Sequence, residues 1–400
     1  MSLAKQLLYG LVYKLSPIIK RRIAFSSLNG QYSDSPKAIS IFIHQEYPEY
    51  EMVWLVKDDT PKDIPDYAKT VRIHTMKANY YSGSSKIVVD NVYAENAVTI
   101  YNYDKKATIR AKVYLWLHRK RKQLVFTTWH GTPIKKMGID QVDSKVTDFL
   151  CNKTEMILGD QYTINILKRL TFGRMEMHLL GTARNDVLFD YDHSQYIKEL
   201  LKIKNKKIIL FAPTFRSGNY DNMNIYVERS GINQINNMDF EKLFSSLNKR
   251  FGGEWVFICR FHYHVAERIN WPEIDRKTKG RVINGNILQD MADYLSCADV
   301  LLSDISSCMF DFALTRRPCF ILFPDKEQFE NIERGLYIQL ETLPFPFAIN
   351  CDELFRNIEK FDESIYKERV NSLINTYGFV DNGHSSKTVS KFIMEKALRQ

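Results

Sequence analysis

At 400 residues the chain is too long for one ordinary hydrophobic core, and two domains of roughly 150–200 residues are expected. A composition of 44% hydrophobic, 26% charged and 13% aromatic residues excludes a disordered or fibrous chain. The net charge of +9 calls for an anionic partner, and nucleic acid, an anionic membrane and a phosphorylated substrate all qualify.

The chain opens on an amphipathic pattern. Leu7, Leu8, Leu11, Val12, Leu15, Ile18 and Ile19 share one helical face, with Lys5, Lys14, Lys20, Arg21 and Arg22 around and beyond it. Lys14 and the missing A-x-A site argue against a signal peptide. Residues 1–24 therefore suit either the surface of an anionic bilayer or packing on their own domain. There is no run of about 18 apolar residues, so no transmembrane helix is expected.

Short β-branched and aromatic runs then alternate with helical patterns. Strands are expected at 52–56, 71–74, 86–89, 124–128 and 175–180, with helices at 36–45 and 161–170 among them. A polar stretch at 186–194 follows Gly181-Thr182-Ala183-Arg184-Asn185-Asp186 and marks a boundary, giving domains at 25–188 and 189–400. Beyond it strands are expected at 207–212, 255–260, 282–284, 300–303 and 319–323, and helices at 239–249, 288–297, 307–314 and 352–359. A last helix, 386–398, could cross back onto the first half. Two successive βαβ series imply an α/β protein with two parallel-sheet, Rossmann-like halves. Without a Walker A or G-x-G-x-x-G motif, P-loop chemistry and a standard dinucleotide site are unsupported. The six cysteines form no C-x-x-C pair, which fits reduced thiols in a cytosolic protein better than structural zinc or disulfides.

Five stretches could carry chemistry. Lys105, Lys106, Arg110, Lys112, Arg119, Lys120, Arg121 and Lys122 form a basic cluster with scattered aromatics, Tyr114 and Trp116. No RNA-binding pattern supports it, which leaves a polyanionic acceptor, lipid head groups or a plain solvated face. Next comes Trp129-His130-Gly131-Thr132-Pro133-Ile134-Lys135-Lys136-Met137-Gly138, after a strand. His130 is a candidate general base, or a histidine capping the strand end. Lys135 and Lys136 suit phosphate, or a solvated helix start. Phe211-Ala212-Pro213-Thr214-Phe215-Arg216 ends a strand where parallel sheets bind ligands, and the planar fork of Arg216 suits a diphosphate. Arg260 and His262 end the next strand in the same way. In Ser303-Asp304-Ile305-Ser306-Ser307 the last two serines open a helix and could hold phosphate, with Asp311 one turn further facing ribose hydroxyls. An N-cap serine and a first-turn acid would look the same.

Together, residues 129–138, 181–186, 211–216, 260–262 and 303–312 resemble the CDP-glycerol:poly(glycerophosphate) glycerophosphotransferase family, the teichoic acid primases and polymerases and related capsule enzymes. Residues 35–57 are similar to that family's N-terminal domain, and Arg334-Gly335-Leu336-Tyr337 to a motif near its end. The resemblance implies a GT-B-like fold with the active site in the interdomain cleft. It implies CDP-glycerol or CDP-ribitol as donor, a lipid-linked glycerol phosphate or glycan as acceptor, no cofactor or metal, and no nucleic acid. By this likeness His130 matches the family's base and His262 its diphosphate-binding histidine. Ser306 and Ser307 match its phosphate-binding serines, Arg216 a phosphate-contacting arginine and Asp311 an acid near the nucleotide. Thr214, Arg260, Lys135 and Arg184 complete the expected donor-binding set. Three positions depart from the pattern: Ala183 and Phe215 replace proline and tryptophan, and Tyr263-His264 follows His262 where proline is common. The expected enzyme is a cytoplasmic glycerophosphotransferase, peripheral on the inner face of the cell membrane. The alternatives are a ribitolphosphotransferase, a GT-B nucleotide-sugar glycosyltransferase, and a non-catalytic basic protein binding membrane or nucleic acid.

Overall fold

The computed structural model describes residues 2–399 apart from 58–62, 93–96, 102–103, 142, 215–227, 262–264, 266–268, 328 and 330–334. In chain order the first elements are α1 (Leu3–Leu15), β1 (Ile19–Ser26), α2 (Asp34–Glu46), β2 (Glu51–Val56), β3 (Ala68–Arg72), α3 (Met76–Ser84), β4 (Ser85–Asp90), β5 (Ala97–Tyr101) and α4 (Lys105–Leu117). Then come β6 (Leu124–Thr127), β7 (Val146–Cys151), β8 (Glu155–Leu158), α5 (Gln161–Leu170), β9 (Glu176–Leu179), α6 (Tyr191–Leu200), β10 (Lys207–Ala212), α7 (Asn233–Asn236), α8 (Phe240–Phe251) and β11 (Trp255–Cys259). The chain ends with α9 (Trp271–Thr278), β12 (Val282–Asn284), α10 (Met291–Cys297), β13 (Val300–Ser303), α11 (Cys308–Ala313), β14 (Cys319–Leu322), β15 (Phe347–Ala348), α12 (Cys351–Glu359), α13 (Glu363–Tyr377) and α14 (Ser385–Leu398).

Contacts divide the chain into two units. Unit 1 holds Met1–His130, Met137–Asp186 and Phe379–Gln400; unit 2 holds Gly131–Lys136 and Val187–Gly378. Unit 1 is built on a seven-stranded sheet, order β3-β2-β1-β4-β6-β8-β9, with every neighbouring pair parallel. A separate antiparallel pair joins β5 to β7. One sheet face buries Ile23, Phe25, Trp54 and Phe126 against Ile39 and Ile43 of α2 and Val389, Ile393 and Met394 of α14. Trp54 stacks on Phe25 at 5.5 Å and meets the edge of Tyr32 at 4.6 Å. Each such large apolar side chain contributes about 1.5–3 kcal/mol on burial. A second cluster packs Trp129, Phe149, Met156 and Leu158 on Ile164 and Leu167 of α5.

The amphipathic segment at the start divides in two. α1 stops at Leu15, because Pro17 cannot continue a helix, and Ile19 opens β1 in the middle of the sheet. The cations that looked like a polar flank are partly interior. Arg22 is 8% exposed, pairs with Glu51 of β2 at 2.7 Å and donates to the Ser84 hydroxyl at 2.6 Å. α1 buries Tyr9 and Tyr13, whose hydroxyl donates to Gln123 Oε1 at 2.5 Å, and leaves Leu3, Leu7, Leu8, Leu11 and Leu15 exposed.

Unit 2 is built on a six-stranded sheet, order β12-β11-β10-β13-β14-β15, again parallel throughout. Its strands lie where near-continuous apolar runs put them, as expected of strands covered on both faces. Some boundaries differ from expectation. β3 ends at Arg72, and His74 takes a left-handed turn (φ 60°) beyond it. α10 starts at Met291, behind the Asp290 N-cap, rather than at 288. Register pairs Ala212 with Ser303, so the carboxyl ends of β10 and β13 open side by side.

Candidate active site

In unit 1 the candidate base stands on a strained turn. After β6, Thr128 N–H donates to the Asp90 carbonyl at 2.8 Å, and Trp129 then adopts φ 57°, left-handed backbone that a bulky residue rarely takes. The buried Trp129 indole, 7% exposed, anchors that turn in the second cluster of unit 1. His130 comes next, exposed, with the Trp129 ring 4.1 Å away. Its Nδ1 lies 3.1 Å from the Asn91 carbonyl oxygen. A carbonyl only accepts, so Nδ1 carries the hydrogen and Nε2 keeps the lone pair. Protein crowded around the ring lowers its pKa from 6.5; the Asn91 carbonyl and Asp34 pull it up, and Arg184 pushes it down. A neutral imidazole with a free Nε2 is the state a general base needs.

Arg184 is 9% exposed and pairs with Asp34, at the start of α2, at 3.0 Å. Its backbone N–H donates to the Ser35 hydroxyl at 3.3 Å. Asn91, itself fully buried, donates to the Ser27 hydroxyl at 3.0 Å and so fixes the carbonyl that holds His130. Asn91, Asp34 and Ser27 were not singled out in the sequence; the polar pair Asp90-Asn91 closing an apolar strand was the available signal.

In unit 2, Thr214, Arg260, Ser306 and Ser307 lie just beyond the carboxyl ends of β10, β11 and β13. Asp304, fully buried, accepts from Thr214 N–H at 2.9 Å and from Ile305 N–H at 2.5 Å, and Ser303 donates to the Ala212 carbonyl at 2.7 Å. These bonds brace the exits of β10 and β13 against each other. The Thr214 hydroxyl is buried and has no hydrogen-bond partner among the described residues. Ser306 and Ser307 are partly exposed, and the Ser307 side chain caps no N–H of α11. Asp311 is 7% exposed, in a short helix whose residues are all buried. Arg260 donates to the Gln289 carbonyl at 2.8 Å, so it braces the loop between β12 and α10. Arg216 and His262 lie outside the described residues, as do Phe215, Tyr263, His264 and Arg334.

The strap 131–136 belongs to this unit. Lys136 N–H donates to the Gly335 carbonyl and Tyr337 N–H to the Ile134 carbonyl, both at 2.8 Å, which pairs Lys135 with Leu336 across an antiparallel bridge. Gly131 adopts φ 150°, and a Cβ there would meet the Ser307 hydroxyl at 2.6 Å. The glycine therefore lets the backbone lie directly against Ser307.

One cluster among the described residues has metal-type ligands: Glu155, Glu176 and His178, with ligand atoms within 4.8 Å of one another. Lys396 already supplies a cation there, pairing with Glu155 and lying 3.8 Å from Glu176, and His178 sits 2.7 Å from Glu155. The cluster is an ion-pair network that holds α14 on the sheet edge.

The profile of the family described as CDP-glycerol:poly(glycerophosphate) glycerophosphotransferase matches residues 7–395. A teichoic acid poly(glycerol phosphate) polymerase of Staphylococcus epidermidis is 26% identical over 98% of this chain and 53% of its own length. The chain thus spans about half of that relative. A polymerase of the same description from Bacillus spizizenii is 27% identical over 96% of this chain and 95% of its own. The solved structure of the wall teichoic acid polymerase TagF superposes with a TM-score of 0.76 at 23% identity, covering 99% of this chain and 94% of the other. That likeness gives the fold as GT-B-like, built from two Rossmann-like units.

Proposed function

The chain belongs to the CDP-glycerol:poly(glycerophosphate) glycerophosphotransferase family, and from that premise we propose that it transfers glycerol phosphate from CDP-glycerol to a hydroxyl of a polymeric or lipid-linked acceptor. The acceptor oxygen attacks the β-phosphorus, the bond from that phosphorus to the bridging oxygen breaks, and CMP leaves with its electron pair. The acceptor proton passes to His130. The observation that carries this role is the Nδ1 contact with the Asn91 carbonyl, which leaves Nε2 as the acceptor. The Ser306, Ser307 and Thr214 hydroxyls would hold phosphate oxygens, joined by Arg216 and His262. Fixed donors of this kind supply most of the rate enhancement in phosphoryl transfer.

Cytoplasmic-face membrane association is part of the same proposal. Its support is α1, which turns a row of leucines to solvent with Lys5 and Lys14 beside it. Among the described residues no helix is long and apolar enough to cross a membrane.

The test is CMP release from CDP-glycerol, with CDP-ribitol and UDP-glucose in parallel, on a lipid-linked glycerol phosphate acceptor. Acceptor-dependent CMP release, fastest from CDP-glycerol and lowered roughly 10²–10⁴-fold in His130→Ala with donor affinity kept, is expected. Faster turnover of CDP-ribitol or UDP-glucose would replace the donor, and near-normal turnover in His130→Ala would remove His130 as base. No release from any donor by the folded protein would leave a non-catalytic binding role.

A further inference from the structure

A cavity of about 300 Å³ opens in unit 1 between the second half of α4 and β7. Leu115 and Leu150 form its apolar lining, and Lys112, Arg119 and Arg174 surround it with positive charge. Arg174 is tied to β7, donating to Asp148 at 2.5 Å and to the Phe149 carbonyl. Lys112 and Arg119 are exposed and enter no ion pair among the described residues. Trp116 also lines the cavity and is 59% exposed.

The surroundings of the cavity decide what it would take. Ile109, Val113 and Trp116 recur at i, i+4 and i+7, an exposed apolar stripe along α4. α1 packs against α4 and exposes Leu3, Leu7, Leu11 and Leu15, again one stripe. Lys14 ties the two helices together: its ammonium donates to the Trp116 and Arg119 carbonyls at 3.0 and 2.8 Å and sits 4.8 Å from the Trp116 ring centroid. A soluble polyanion would satisfy the cations and leave both apolar stripes in water. A nucleic acid would call for a series of stacking rings, and the cavity offers one. A lipid brings a phosphate and an acyl region in one molecule, and an exposed indole beside cations suits the boundary between them.

We infer that the α4–β7 cavity is a head-group site for the phosphate of an anionic membrane lipid, with the stripes of α1 and α4 seated at the acyl boundary. The inference builds on the membrane contact proposed above and is independent of the transferase chemistry.

The experiment is co-sedimentation of the full chain with phosphatidylcholine vesicles, with and without phosphatidylglycerol. The Lys112→Gln/Arg119→Gln variant is compared with Lys105→Gln/Lys106→Gln, which removes equal charge from the exposed start of the same helix, away from the cavity. The cavity variant should lose phosphatidylglycerol-dependent partitioning roughly 10–30-fold and the control far less. The blue shift of tryptophan emission on vesicles should vanish in Trp116→Phe. Equal losses in the two double variants would reduce the site to diffuse attraction and overturn it. So would absence of phosphatidylglycerol-dependent binding, or displacement from vesicles by soluble glycerol phosphate as effective as by added lipid vesicles. CMP release on a soluble acceptor, measured beside these, should be unchanged in the cavity variant. A wild type that binds vesicles and releases no CMP would sink the transferase proposal and leave the head-group site standing.

Discussion

His130 owes its proposed role to a neighbour that has no chemistry of its own. The Asn91 carbonyl selects the tautomer, and the left-handed Trp129 backbone aims the ring. Because its surroundings disfavour the charged imidazole, the acid limb of the kcat profile should fall below pH 6.5. A limb above 6.5 that persists in His130→Gln would assign the titration to another group. Thr214 offers a cleaner separation of structure from ligand binding. Its buried hydroxyl has no partner among the described residues, so Thr214→Val removes an unsatisfied group at nearly constant volume. Stability should hold or rise by about 1 kcal/mol while the donor KM increases. A fall in the melting temperature with KM unchanged would show that the hydroxyl serves the fold alone.

At the level of elements, the Arg184-Asn185-Asp186 turn does two separate jobs. Arg184 pairs with Asp34 near the candidate base. Asp186 reaches α14, whose N-cap, His384, makes no side-chain cap bond. The Asp186 carboxylate accepts instead from Ser385 and Ser386 N–H, both at 2.7 Å. Those are orphan donors at a helix start, where negative charge is favoured. Asp186→Ala should cost about 1–2 kcal/mol in urea unfolding and speed hydrogen exchange in α14 first. Unchanged exchange there would mean that packing on Ile39 and Ile43 holds the helix without the cap. The strap 131–136 is the other element whose placement depends on a distant segment, since its backbone bonds go to 335–337.

For the whole molecule, one buried histidine, His118, links stability to pH. Burial lowers its pKa from 6.5, and the Tyr114 carbonyl opposes the shift. With the folded value depressed, the unfolded chain takes up this proton first as pH falls. Stability contributed by the neutral ring is therefore intact above 6.5 and declines below it. Urea midpoints from pH 8 to about 5.5 should show the decline. The slope should flatten in His118→Gln, and a slope unaffected by that change would place the pH dependence elsewhere.

What the sequence alone determined is what local pattern encodes. Uninterrupted apolar runs placed β10, β11, β13 and β14, because strands covered on both faces need no alternation. Spaced motifs pointed to the family, and His130, Thr214, Ser306 and Ser307 were visible as polar groups closing such runs. The basic start of β1 looked like the flank of a helix, because the Glu51 that neutralises Arg22 lies on another strand. The α4–β7 cavity was equally hidden: Lys112, Trp116 and Arg119 read as a solvated run until β7 and Arg174 packed beside them. Tertiary structure alone decided which carbonyl faces the imidazole and which carboxylate caps α14. Each is a meeting of groups far apart in the chain, and no short-range periodicity records such a meeting.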